Sequence, residues 1–146
     1  MVSRQHSFLT QVELYVQGRK LSDLDTFSKS DPLCIISEYN ETTEKWVKLG
    51  QTEHIRDDLN PNFRTRFTLN YFYERRQLVK FEMVDVDGDG TFDLIGEVVT
   101  ELGLIMRAKP DNVWQSTLTM PGKTADRGTI IVRGENVHES HTTTRF

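Results

Sequence analysis

The stretch Leu78–Val99, LVKFEMVDVDGDGTFDLIGEVV, constrains this chain more than any other. Val79, Phe81 and Met83 alternate with Lys80 and Glu82, the period of a half-buried strand. After an interruption, Leu94, Ile95, Val98 and Val99 resume an apolar strand. The interruption carries Asp85, Asp87, Asp89 and Asp93 with no basic residue among them. Gly88 and Gly90 allow a tight turn that aims those carboxylates inward. Carboxylates so crowded repel one another, and a hard divalent cation relieves the repulsion. Ca2+ suits the loop because it takes roughly 6–8 oxygen ligands in flexible geometry. Asp and Gly are also ordinary hairpin residues, so the rest of the chain has to decide.

At 146 residues the chain suits one domain with one core. It has 18 Lys and Arg against 22 Asp and Glu, a formal net charge of −4. That balance argues against a nucleic-acid partner, which requires a basic face. It also sets a condition on any membrane role: anionic lipid repels such a protein unless bound cations invert the charge locally. The single Cys34 excludes an internal disulfide, fits a reducing compartment and reads as a small buried strand residue. Asn40-Glu41-Thr42 matches a glycosylation sequon, but the opening MVSRQHSF lacks the apolar core of a signal peptide, so the sequon reads as fortuitous. No apolar run approaches the ~20 residues of a membrane span. Any membrane contact is therefore expected to be peripheral.

Residues 1–7 read as a lead-in, 8–137 as the folded domain and 138–146 as a polar tail or linker to further domains. Strands are expected from Phe8 to Gly18, Leu33 to Tyr39, Trp46 to Thr52 and Phe63 to Phe72. Two more flank the Asp-rich turn, and the last two run from Val113 to Thr119 and from Gly128 to Val137. Pro32 belongs at a strand's first residue, where its missing N–H does least harm. Asn60-Pro61-Asn62 demands a turn. Residues 101–112 suit either a short helix or a loop. Eight short strands with little helix indicate an all-β fold, an eight-stranded antiparallel β-sandwich. Loops at one end of a sandwich cluster in space. If the loop bearing Asp23, Asp25 and Asp31 shares an end with the loop bearing Asp85 to Asp93, up to seven carboxylates face one cavity.

Two competing chemistries are weak. Asp85-x-Asp87-x-Asp89-Gly90 opens like an EF-hand, but the twelfth position is Gly96, Glu97 comes one place late, and the flanks read as strands. An enzyme is not indicated. There is no GxSxG, no Cys/His pair with a third member and no Gly-rich phosphate loop before a helix, and His6, His54, His138 and His141 are scattered.

These residues resemble a C2 domain, most closely the first C2 domain of a copine. Leu21-x-Asp23-x-Asp25, followed by Ser-Lys-Ser-Asp31-Pro32-Leu-Cys, is similar to the copine pattern. Asp25 and Asp31 stand at the family's six-residue spacing. Asp85, Asp87 and Asp93 reproduce its Asp-x-Asp-x5-Asp, followed by Ile95-Gly96. Leu59-Asn60-Pro61-x-Phe63 matches its Leu-Asn-Pro turn, and Arg127 to Val132 also looks copine-like. The likeness runs from Val12 to Val137. It implies the C2 sandwich in its permuted topology, which begins with the strand before the first Asp loop.

The resemblance further implies a cytoplasmic signalling module that binds two or more Ca2+ and moves to the plasma membrane or other membranes when calcium rises. By position, Asp25, Asp31, Asp85, Asp87 and Asp93 would be side-chain ligands, with the carbonyls of Thr26 and Val86. Asp23 and Asp89 are candidate additional ligands. Anionic phospholipid is the expected partner, with target proteins as further candidates. Phe27 and Phe92, one in each Asp loop, are candidates for insertion, with Lys29 as a further membrane contact. Burying a Phe side chain contributes ~1.5–3 kcal/mol. Where many such domains carry basic residues before the Leu-Asn-Pro turn, this chain has Arg56-Asp57-Asp58. Arg64 and Arg66 on the fourth strand are the nearest offset. The alternative is a C2-type protein-interaction module with structural Ca2+ or none.

Overall fold

The first strand shows how the sequence builds the sheets. In β1 (Leu9–Arg19) Val12, Leu14 and Val16 are wholly buried and the residues between them are not, the alternation of a strand with one face on a core. The computed structural model describes residues 9–24 and 29–137. The expected lead-in, Phe8 and the expected tail from residue 138 lie outside the described residues. The other strands are β2 (Pro32–Asn40), β3 (Lys45–Gln51), β4 (Asn62–Phe72), β5 (Leu78–Val86), β6 (Phe92–Glu101), β7 (Val113–Thr117) and β8 (Thr129–Asn136). The short helix α1 (Leu102–Met106) settles the segment that suited helix or loop, burying Leu102 and Ile105. Among the described residues no helix is long and apolar enough to cross a membrane.

Two antiparallel four-stranded sheets stack face to face, in the orders β4-β1-β8-β7 and β3-β2-β5-β6. Leu14, Val16, Ile130 and Val132 from the first meet Ile36, Phe81, Met83 and Ile95 from the second in one core. Phe63, Phe67 and Leu69 join it, as does Cys34 in β2. Pro32 opens β2 as expected. The first strand lies between β4 and β8, so the first and last strands of the domain are neighbours.

The two long strands β5 and β6 reach further into the acidic stretch than the sequence suggested. Asp85 pairs with Asp93 and Val86 with Phe92, leaving only residues 87–91 as the connecting loop. Antiparallel pairing continues across the acidic positions because their side chains leave the backbone ladder intact.

Glu53 fixes the approach to β4. Its carboxylate accepts the Arg64 N–H at 2.6 Å, the Thr65 hydroxyl at 2.7 Å and the Thr65 N–H at 3.1 Å. Burial pushes this carboxyl upward, but the hydrogen bonds outweigh burial and hold it below the usual carboxylate range. A depressed folded pKa contributes stability above the unfolded value, and that stability is lost as pH falls through the folded one. Glu53→Ala is therefore expected to lower unfolding stability by about 1–2 kcal/mol at neutral pH. The deficit should shrink below about pH 4.3. Urea unfolding at both pH values checks this, and a pH-independent difference would contradict it.

Candidate functional site

Strand direction alternates along the chain, so the β1–β2, β3–β4, β5–β6 and β7–β8 connections all lie at one end of the sandwich. The two Asp loops therefore share an end. The link is direct, since the Asp31 N–H donates to Asp85 Oδ1 at 2.8 Å and the Val86 N–H donates to the Asp31 carbonyl at 3.0 Å.

Asp85, Asp87 and Asp93 each offer a carboxylate oxygen, and these oxygens lie within 4.8 Å of one another. Asp85 is wholly buried, Asp87 half-buried and Asp93 exposed, so the group runs from the core out to the tip. Asp85 sits near the end of β5 opposite Pro32, which explains its burial. Among the described residues Asp31 is not part of this close group, although its backbone binds Asp85. One of its carboxylate oxygens, Oδ1, accepts the Asp57 N–H at 2.7 Å.

The hairpin loop is held by its own side chains. The Asp87 N–H donates to the Thr91 carbonyl at 2.8 Å and the Gly90 N–H to the Asp87 carbonyl at 2.9 Å. The Thr91 hydroxyl has two acceptors in reach, Asp89 Oδ1 at 2.7 Å and Asp87 Oδ2 at 3.2 Å. Asp89 also accepts the Thr91 N–H at 3.0 Å. The Thr91 hydroxyl and then its N–H hold the Asp89 carboxyl below its ordinary range. Gly90 needs its glycine, at φ +87°, whereas a Cβ at Gly88 would meet nothing. The expectation that both glycines serve the turn is thus corrected to one, because only Gly90 occupies the left-handed region.

The β1–β2 loop is pinned at its neck. The Leu21 N–H donates to the Leu59 carbonyl and the Ser22 N–H to the Arg127 carbonyl, each at 3.0 Å. The wholly buried Ser30 accepts the Leu24 N–H on its hydroxyl at 3.0 Å, which ties the two sides of the loop together. Asp23 is exposed, as is Lys29, whose N–H donates to Asp57 Oδ1. Asp25, Thr26 and Phe27 lie outside the described residues. Phe92 is not a loop residue as expected but the first residue of β6, because the hairpin pairing extends to it, and it is 42% exposed at the tip. Ser30 and Thr91 are not singled out by the sequence, and Asp57 stands out there only as an acidic departure before the Leu-Asn-Pro turn, not as a partner of Asp31 and Lys29. Only Thr91, placed two residues after an Asp, carried a local signal, that of an Asx turn.

A family model described as the C2 domain matches residues 11–117. The chain is 38% identical over 136 residues to Copine-E of Dictyostelium discoideum, covering 90% of this chain and 23% of that protein. To Copine-A of the same organism it is 34% identical over 137 residues, covering 94% and 22%. It thus spans less than a quarter of either relative's length. A solved C2 domain of plant Extended Synaptotagmin 1 matches with a TM-score of 0.68 at 20% identity, over 86% of this chain and 92% of that one. That likeness speaks for the fold alone.

Proposed function

The chain belongs to the C2 domain family, and from that premise we propose that it is a calcium-dependent module for docking on anionic phospholipid membranes, of the kind copine-like proteins carry. The observation that carries this reading is the convergence of Asp85, Asp87 and Asp93 within 4.8 Å at the loop end. Their donor chemistry fits the ion. All three are hard oxygen ligands, as Ca2+ prefers.

The residues that would hold calcium are Asp31, Asp85, Asp87 and Asp93 with the Val86 carbonyl, joined by Asp25 and the Thr26 carbonyl on the family pattern. Asp23 and Asp89 are further candidates. When bound, Ca2+ supplies positive charge at the tip and coordination positions for lipid phosphate or carboxylate oxygens. The chain supplies the rest. The β5–β6 pairing and the Asp31–Asp85 hydrogen bond hold these residues together, and Phe92 offers apolar surface beside them. Protein in the cytoplasm would then reach a membrane only when calcium rises.

Co-sedimentation with phosphatidylserine-containing vesicles, in calcium and in chelator, tests the proposal. Binding in calcium alone is the expected result. Equal binding in both conditions would remove the Asp loops as the switch. Binding in neither would favour a protein partner. Phe92→Ala is expected to weaken vesicle partitioning by about tenfold, the lower end of what burying a Phe contributes. An unchanged partition would exclude insertion of this residue.

A further inference from the structure

Asp57 and Asp58 stand where basic residues would assist binding to anionic lipid, and their hydrogen bonds give them a different task. The Asp57 N–H donates to Asp31 Oδ1 at 2.7 Å. Its own Oδ1 accepts the Lys29 N–H at 3.0 Å. The Asp58 N–H reaches the Ser30 carbonyl at 3.1 Å, and the Ile55 N–H reaches the Pro32 carbonyl at 3.0 Å. Every residue from Lys29 to Pro32 is thus held by the β3–β4 loop. On its other side Asp31 is held by Asp85 and Val86. A carboxylate is planar, so fixing one oxygen and the backbone fixes the direction of the other oxygen.

We propose that Asp57 is the positioning residue of the cation site, setting the direction of the Asp31 carboxylate without touching the ion itself. The proposal rests on the reading of the Asp cluster as a calcium site. It assigns the acidic loop to the geometry of the site and removes it from direct lipid contact.

The backbone at Asp57 makes the proposal testable. Its φ is +55°, the left-handed region that Asn and Gly tolerate and Ala does not favour. Asp57→Asn keeps both this backbone and an acceptor for the Lys29 N–H, losing only charge. Asp57→Gly keeps the backbone and loses the acceptor. All three keep the N–H that holds Asp31, and Asp57→Ala both loses the acceptor that anchors this residue to Lys29 and strains the backbone that aims its N–H. If Asp57 acted instead by long-range attraction of the cation, all three changes would cost the same.

The experiment is calorimetric titration of the whole chain with calcium chloride for wild type and the three variants, with thermal unfolding in chelator to compare folding. Residues that orient metal ligands typically contribute 10–100-fold in affinity, so Asp57→Ala should weaken calcium binding by about that factor, Asp57→Asn by no more than about twofold, and Asp57→Gly by an intermediate amount. In an Asp31→Asn background, Asp57→Ala should cost nothing further. Equal losses in all three variants, no loss in Asp57→Ala, or a further loss in that background would overturn the proposal. A wild-type chain that binds no calcium would instead overturn the site reading beneath it, so the two failures are distinct.

Discussion

Replacing Asp85 and Asp87 together by Asn is expected to abolish calcium-dependent binding and leave the fold intact. Asn has nearly the shape of Asp and keeps a carbonyl oxygen. It can therefore still accept the Asp31 N–H at position 85 and the Thr91 hydroxyl at position 87. Two of the three converging charges are lost, and calcium sites are tuned by ligand charge count. A loss of about 100-fold or more in calcium affinity follows. A new amide N–H2 at buried position 85 costs about 1–3 kcal/mol if left without an acceptor. The relief of carboxylate repulsion offsets that cost in chelator. Calorimetry and thermal unfolding in chelator check both halves. An unchanged calcium titration would sink the assignment of these residues.

The second large effect belongs to a residue that carries no charge. Gly128 has φ +121°, and a Cβ there would sit 2.8 Å from Leu21 Cα and 3.0 Å from the Lys20 carbonyl oxygen. Both neighbours are main chain of the β1–β2 loop and cannot step aside as a flexible side chain would. Gly128→Val adds a β-branched side chain at that point. Strain at an unfavourable φ costs about 1–3 kcal/mol, and forced overlap about as much again. The expected result is a fall in melting temperature of about 10 °C or more. Calcium affinity should fall with it, because the neighbouring Arg127 carbonyl holds the Ser22 N–H at the neck of an Asp loop. A wild-type melting curve for Gly128→Val would contradict this account.

Much of the sandwich was legible in residue alternation. Val79, Phe81 and Met83 announced a strand face, and all three are wholly buried. Although Asn62, expected in the turn, is the first residue of β4, the bend before that strand announced itself through the turn chemistry of Asn60-Pro61. Burial of the carboxylate at Asp85 did not, because it depends on Pro32 lying opposite across the sheet, far away in sequence. The same holds for Asp57, whose partners Lys29 and Asp31 are 28 and 26 residues distant. Local pattern reports which residues share a face of one element. It is silent on which loop of another strand pair will close over them. Phe92 and Asp93 looked like loop residues for a related reason: acidic, glycine-rich sequence hides the point at which a hairpin ladder ends.

The adjacency of β1 and β8 also governs how the domain can be built into larger assemblies. β1 runs toward the Asp loops and β8 runs away from them, so Leu9 and Asn136 both lie at the opposite pole. Polypeptide joined at either side leaves from the same pole, as two cords tied to one handle. The points of attachment and the Asp loops are therefore separated by the full length of the strands. The domain is mechanically a probe, held by its base.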